Sequence, residues 1–555
     1  MKPGLTPNLF RLGCFILAMV SFTCSRKLDI LPSSDIPQDR AIESYNDLES
    51  AMQSMLHAMQ NRYTMGGNYK IWPIILSDEV KLNPSASRLE QASIFRRNLA
   101  PGDSEIIKTW QWSYRAINRA NEIIEFLNSK TVPDADFDKV KNRYLGEAHF
   151  VRGLMYFELV RNFAKPYELA TENELAVPRR TTPTRGKEFV PRSTIKEVYE
   201  QVISDLNQAA VLLEPRYLPD IREAGTIRGL IPFGRPSGDA ARALLARVYF
   251  QRGNVEDDQK ALNFINQVIS EDNQTTEDDP RIGRYCYYPA PYILTCANNY
   301  VNIFELAGVG GYRPVGVVCA QESDCPPAVD NAYYETLFQV LNVSENNTSS
   351  YITSLFSQRR AGLYSNNEPS YAIADSVYFW FEGFETVDAR ITSDILFLNQ
   401  LDPANKKLYC NKYGSAGLYA NIPVIRTPEL MLTRAEIYIN TGQLNRAVFE
   451  LAALFRRANI LTFTPAPNNP RTRIRNLNYL KRMAREGNAA ELLRIVRIER
   501  QRELAFEGER LHYLRSRKLP ISGAETNRPT LEWNSEQLVF PIPASEISIN
   551  PLINQ

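Results

Sequence analysis

Near the end of the chain Glu499, Glu503 and Glu507 stand four residues apart, so a helix through them carries one acidic stripe. Two carboxylates roughly 5–10 Å apart are what a glycosidase needs. Arg500, Arg502 and Arg510 interleave with them. A carboxylate paired with a cation has its pKa lowered, the wrong direction for a general acid. An ion-pair network is therefore the expected role of the stripe. Gly102-Asp103-Ser104 has the look of a hydrolase nucleophile fragment. It precedes a helical run with no His beside it, so Asp103 or Ser104 is expected to cap that helix. The only histidines are His57, His149 and His512, and no HExxH, GxSxG or phosphate-binding glycine loop occurs. No residue is nominated as catalytic, and no cofactor or metal is expected.

Cys286, Cys296, Cys319 and Cys325 cluster, with Cys410 apart. Their spacings lack a CxxC knuckle, which favours disulfides over zinc, and four thiols allow three pairings that sequence does not choose between. Contact binding is the chemistry the composition favours. Tyr leads the aromatics, 28 against 25 Phe and 5 Trp, and its apolar body with a polar tip suits both cores and wet binding surfaces. The C–H face of a sugar ring stacks on Tyr or Trp while Asn, Asp and Arg satisfy its hydroxyls. The loop around Asn83-Pro84 and a tyrosine-rich middle stretch supply such mixtures. The candidate contacts are Trp72, Tyr312, Arg313, Tyr333, Tyr334, Tyr364, Asn366 and Trp380. Trp380 lies in Tyr378-Phe379-Trp380-Phe381, which also reads as a half-buried strand. Trp110 and Trp112 are expected to pack the start of a helix.

These residues need a frame, and 555 residues with an ordinary apolar share of 44% are ample for a large core. Lys+Arg 64 against Asp+Glu 63 leaves no electrostatic bias, so neither a nucleic-acid partner nor a basic membrane-binding face is expected. Lys2 and Arg11 precede the apolar run Cys14–Phe22, which ends at Thr23-Cys24. That is a secretory signal, too short to span a bilayer. A cysteine at its end suggests lipoprotein processing, with 1–23 removed and Cys24 acylated. The alternative is an ordinary signal peptide ending near here, with Cys24 a plain thiol.

Apolar residues recur at helical spacing from Ile42 onward, through Ser44–Met52, Trp112–Ile124 and Tyr144–Phe163. Ser193 stands as a cap before a further helix. Ala246–Gly253 and Ala435–Gly442 look like copies of each other. A small residue, an aromatic and then Gly suit two antiparallel helices packed as a tetratricopeptide-like hairpin. The expected fold is mostly α, a tetratricopeptide-like helical-repeat scaffold with a large loop-rich, mixed insertion. The expected division is 24–277 for the first helical part, 278–401 for the insertion and ligand-binding face, and 402–555 for the second helical part with its closing segment.

The tail is the most specific part. Ile498-Glu499-Arg500-Gln501-Arg502-Glu503-Leu504-Ala505-Phe506-Glu507-Gly508-Glu509-Arg510 resembles the signature helix of the SusD/RagB family, and Phe540-Pro541-Ile542-Pro543-Ala544 through Asn550-Pro551 is similar to its closing segment. Further matching stretches are Trp112–Asn121, Glu147–Gly153, Val424-Ile425-Arg426 with Glu429-Leu430, and the Cys24 start followed by Leu28-Asp29. The chain departs from the family at Leu511-His512, where an aromatic such as Trp often stands, and in lacking an acidic tag after Cys24. The resemblance implies an outer-membrane lipoprotein, exposed at the cell surface, that binds an oligomeric nutrient and hands it to a SusC-like TonB-dependent transporter. A glycan is the first choice of cargo. The alternatives are a peptide, as in RagB-like members, or a glycan-active hydrolase.

Overall fold

Ser44 opens the described structure by accepting a hydrogen bond from the Asp47 amide while Asp47 reaches back to the Ser44 amide, a reciprocal cap that starts α1 (Tyr45–Gln60). The computed structural model describes residues 44–83, 89–129, 137–214, 234–269, 336–341, 351–356, 369–375, 421–458 and 473–554, with isolated exceptions and a few further positions such as 409, 410, 412 and 413. The signal segment 1–23, Cys24 and the four clustered cysteines lie outside them. So do Tyr312, Arg313, Tyr333, Tyr334, Tyr364, Asn366 and Trp380.

After α1 come α2 (Asn68–Leu76), β1 (Val80–Leu82), α3 (Ala92–Phe95), α4 (Ser104–Ser129) and α5 (Phe137–Phe163). Asp103 Oδ1 accepts from the Glu105 amide at 2.8 Å, so it caps α4 as its spacing predicts. The chain continues through β2 (Leu175–Pro178), β3 (Arg192–Thr194) and α6 (Ile195–Leu212). The cap of α6 is Thr194, not Ser193. Thr194 stands three residues before Glu197, and only that offset lets both side chains reach each other's amides.

The predicted hairpins are α7 (Gly238–Arg252) with α8 (Val255–Val268), and α10 (Thr427–Asn440) with α11 (Leu444–Arg457). Gly253 and Gly442 turn them at φ 76° and 77°, where a Cβ would be strained. Each long helix packs on its neighbour in chain order: α1 on α4, then α5, α6, α7, α8, α10 and α11. Such nearest-neighbour stacking buries apolar faces that no single hairpin could bury alone.

Between the hairpins lie β4 (Thr336–Val340), α9 (Tyr351–Phe356) and β5 (Tyr371–Ile373); β6 (Ile422–Arg426) leads straight into α10. The short strands expected in the middle stretch pair antiparallel with the frame: β4 with β6, and β5 with β1. β2 pairs with β3. Every residue of β4 and β5 is buried, so these parts of the stretch are built into the core. The chain ends with α12 (Leu477–Arg485), α13 (Ala489–Glu503), α14 (Arg510–Ser516) and α15 (Ala544–Ile549).

Candidate functional site

The acidic stripe does not run its full length. α13 stops at Glu503, and Phe506 and Gly508 take φ of 63° and 78° to turn the chain into α14. A Cβ on Gly508 would come within 2.8 Å of the Lys70 carbonyl oxygen, so the turn is seated against α2 where only glycine fits. The expected ion-pair network is present, but most of its cations come from elsewhere than the interleaved arginines. Arg426, at the end of β6, reaches Glu507 at 2.6 Å and Glu503 at 3.1 Å, and Lys412 reaches Glu507 at 2.6 Å. Glu509 is shared by Arg161 of α5 at 2.9 Å, Arg247 of α7 at 3.2 Å and Lys70 of α2 at 3.5 Å. Arg161 also clamps Glu158, and Arg247 clamps Glu429 with two bonds of 2.6 and 2.7 Å. Of the interleaved arginines, Arg502 faces Glu499 at 3.7 Å, Arg510 grips Asp78 with two bonds near 3 Å, and Arg500 donates to Thr433.

Electrostatics follow from burial. Burial alone would raise Glu507 and Glu509. The Arg426 and Lys412 charges outweigh it at Glu507, and those of Arg161, Arg247 and Lys70 outweigh it at Glu509, so both carboxyls are held below the ordinary range. Burial pushes the Lys70 and Lys412 ammonium groups down. Glu79, just before β1, differs. Among the described residues it accepts from the Phe506 amide and the Ser77 hydroxyl, and burial raises it to about 7. Arg97 and Arg528 donate to the Ile75, Leu76 and Ser77 carbonyls, which satisfies the C-terminal end of α2. A cavity of about 20 Å³ between Glu79, Gln501, Arg510 and Tyr513 has room for about one water. No sugar ring fits there, and the signature carboxylates are committed to holding elements together.

Trp72 is not a surface contact. All nine residues of α2 are buried, because the helix passes between the signature turn and the closing segment. The Trp72 ring stacks on Phe540 at 4.0 Å, and its Nε1 donates to Gln91. Asn83 is likewise buried, its amide donating to Pro369 O and the Tyr409 hydroxyl. Trp110 and Trp112 pack within the first turns of α4 as expected, Trp110 buried and Trp112 partly so. The three histidines are far apart in role: His57 meets Trp112 edge-on, His149 bonds Asp205 at 2.8 Å, and His512 is buried, where burial and Arg161 keep it neutral. Cys410 is buried too, its thiol raised to about 12, which makes it unreactive. Among the described residues no group of His, Cys, Asp and Glu is arranged to hold a metal, and no helix is long and apolar enough to cross a membrane. One half-exposed aromatic cluster, at Tyr63 and Tyr351, escaped the sequence reading. Its two rings are distant in the chain, and Tyr351, although within the tyrosine-rich middle stretch, follows a run of Asn, Thr and Ser.

Residues 28–250 match a family model described as starch-binding and associating with the outer membrane, and residues 402–518 match that of the SusD family. No curated protein sequence matches the chain. The fold is similar to a SusD superfamily protein from Bacteroides thetaiotaomicron VPI-5482, at 21% identity and a TM-score of 0.68, over 92% of this chain and 99% of that one. A SusD-like carbohydrate-binding protein from Bacteroides vulgatus ATCC 8482 has 17% identity and a TM-score of 0.61, over 92% and 98%. A laminarin-binding SusD-like protein has 18% identity and a TM-score of 0.60, over 92% and 98%. At such identities the structural likeness speaks for the fold alone. The family models cover more than half of the chain between them, and Arg426, Glu429 and the 498–510 signature meet in one buried joint. The chain belongs to the SusD/RagB family.

Proposed function

We propose that this protein is a lipid-anchored outer-membrane binding protein, tethered through Cys24, that captures an oligomeric glycan and hands it unaltered to a SusC-like TonB-dependent transporter. The observation that carries this reading is the match of residues 28–250 to a family described as starch-binding and associating with the outer membrane. The mechanism is contact. A rigid helical frame displays a preformed surface, ligand binds by ring stacking and hydrogen bonds, and tethering beside the barrel raises the effective concentration, so modest affinity suffices. The buried ion pairs of the signature support binding over hydrolysis, because carboxylates held below their ordinary pKa by cations are poor proton donors.

The test is an array of glycans and peptides probed with the purified mature protein, beside affinity purification from native membranes. Binding to one class of glycan, with a barrel transporter retained on the same column, is the expected result. Binding to peptides alone would move the protein to the RagB-like alternative. Blank arrays of both kinds would overturn ligand capture.

A further inference from the structure

The α1–α2 turn, the first turns of α4 and the short helix α9 meet at one surface patch. There the Arg62 guanidinium lies over two tyrosine rings at once, 4.3 Å from the centroid of Tyr63 and 4.1 Å from that of Tyr351. Arg62 is fixed in turn by Glu105 at 2.6 Å. Lys108 donates to the Tyr63 hydroxyl at 3.2 Å, and Gln91 donates to the Tyr351 hydroxyl at 3.4 Å while accepting from buried Trp72. Tyr351 also bonds the Glu90 carboxylate. Both rings stay half-exposed, and Lys108 is exposed.

We propose that this patch is a contact surface for an uncharged oligosaccharide, with Tyr63 and Tyr351 stacking on sugar rings and Lys108, Glu105 and Glu90 bonding their hydroxyls. The proposal rests on the glycan-binding reading above and adds the residues that perform it. Three observations carry it. The rings are held in place by the guanidinium and by their hydroxyl partners, so little side-chain entropy is lost when a ligand arrives. Their remaining surface faces solvent beside hydrogen-bonding groups of both kinds, the mixture a sugar requires. The patch is also electrically balanced. Arg62 and Lys108 are matched by Glu105 and Glu90, which favours a neutral sugar over an acidic one. The site joins a residue of the middle stretch to residues of the helical frame, so neither region suffices without the other.

Native gels cast with laminarin or with starch read the affinity. The Tyr63→Ala/Tyr351→Ala double variant should lose at least tenfold in affinity for whichever glycan retards the wild type, with its melting point moved by only a few degrees. Tyr249→Ala, a half-exposed tyrosine of α7 stacked on Phe264, should bind as the wild type does. If the wild type is retarded and the double variant is retarded equally, the patch assignment falls and glycan binding stands. If neither glycan retards the wild type, the patch assignment falls, and the glycan array alone decides whether glycan binding stands. Should the double variant fail to fold, Lys108→Ala decides: a several-fold weakening supports the patch, and unchanged affinity overturns it.

Discussion

The hairpin stack and the signature joint are both buried, yet they are held by opposite means. In the stack, α7 with α8 and α10 with α11 press apolar faces together, each hairpin joining helices adjacent in the chain. In the joint, residues 503–510 gather cations from α2, α5, α7, the segment at Lys412 and β6, up to several hundred residues away. Apolar packing tolerates local error, because a misfit costs only part of a contact. A buried charge does not, because losing its partner leaves it desolvated and unpaired. The stack gives the protein its extent, and the joint fixes how its distant segments meet.

The largest way to break this contrast is Arg426→Ala. It removes the guanidinium that bridges Glu503 and Glu507 and leaves Glu507 to Lys412, and breaking a buried pair costs about 3–5 kcal/mol. Chemical denaturation should show a large fall in midpoint for it, and a smaller one for Ala435→Val within the α10 hairpin, where about 1–3 kcal/mol of overpacking is at stake. Two left-handed glycines sharpen the comparison further. Gly442→Ala meets nothing within 4 Å and should cost about 1 kcal/mol of backbone strain, whereas Gly508→Ala also drives a methyl into Lys70 and should cost visibly more. Equal melting shifts for the pair would contradict the view that the turn is seated on α2.

The helical frame was legible in the sequence because apolar spacing and turn glycines are local signals. Gly253, Gly442 and the Asp103 cap stand where spacing put them. The ion-pair role of Glu503 and Glu507 was legible too, but their partners were not, since nothing local tells that Arg426 and Lys412 will arrive from elsewhere. Trp72 misled for the same reason: its ring suits sugar stacking and core packing alike, and only the arrival of Phe540 makes it core. Tyr63 and Tyr351 are individually ordinary, and only the fold brings them over one guanidinium.

The joint also has a pH signature. Glu79 is raised by burial from 4.5 to about 7, so the folded state binds more protons than the unfolded one between those values. Its contribution to stability is therefore lost as pH rises from about 4.5 to 7. Glu507 and Glu509 run the other way: their lowered pKa values give stability present above the ordinary carboxylate range and lost as pH falls below it. Glu79→Gln should thus melt higher than the wild type at pH 8 and nearly alike at pH 5, read by thermal scans at the two values. The smallest expected effect is Thr194→Ala, which removes one helix cap of α6 and should cost about 1 kcal/mol. The denaturation midpoint should show it as a modest fall.

The claim that this protein captures without chemistry is tested most directly by what happens to a bound glycan. The purified protein is saturated with an oligosaccharide it retains, held for a day at working temperature, and the sugar is released and weighed by mass spectrometry. Recovery of the oligosaccharide at its starting length is the predicted result. Shorter products that accumulate with time and disappear when the protein is heat-denatured would contradict it.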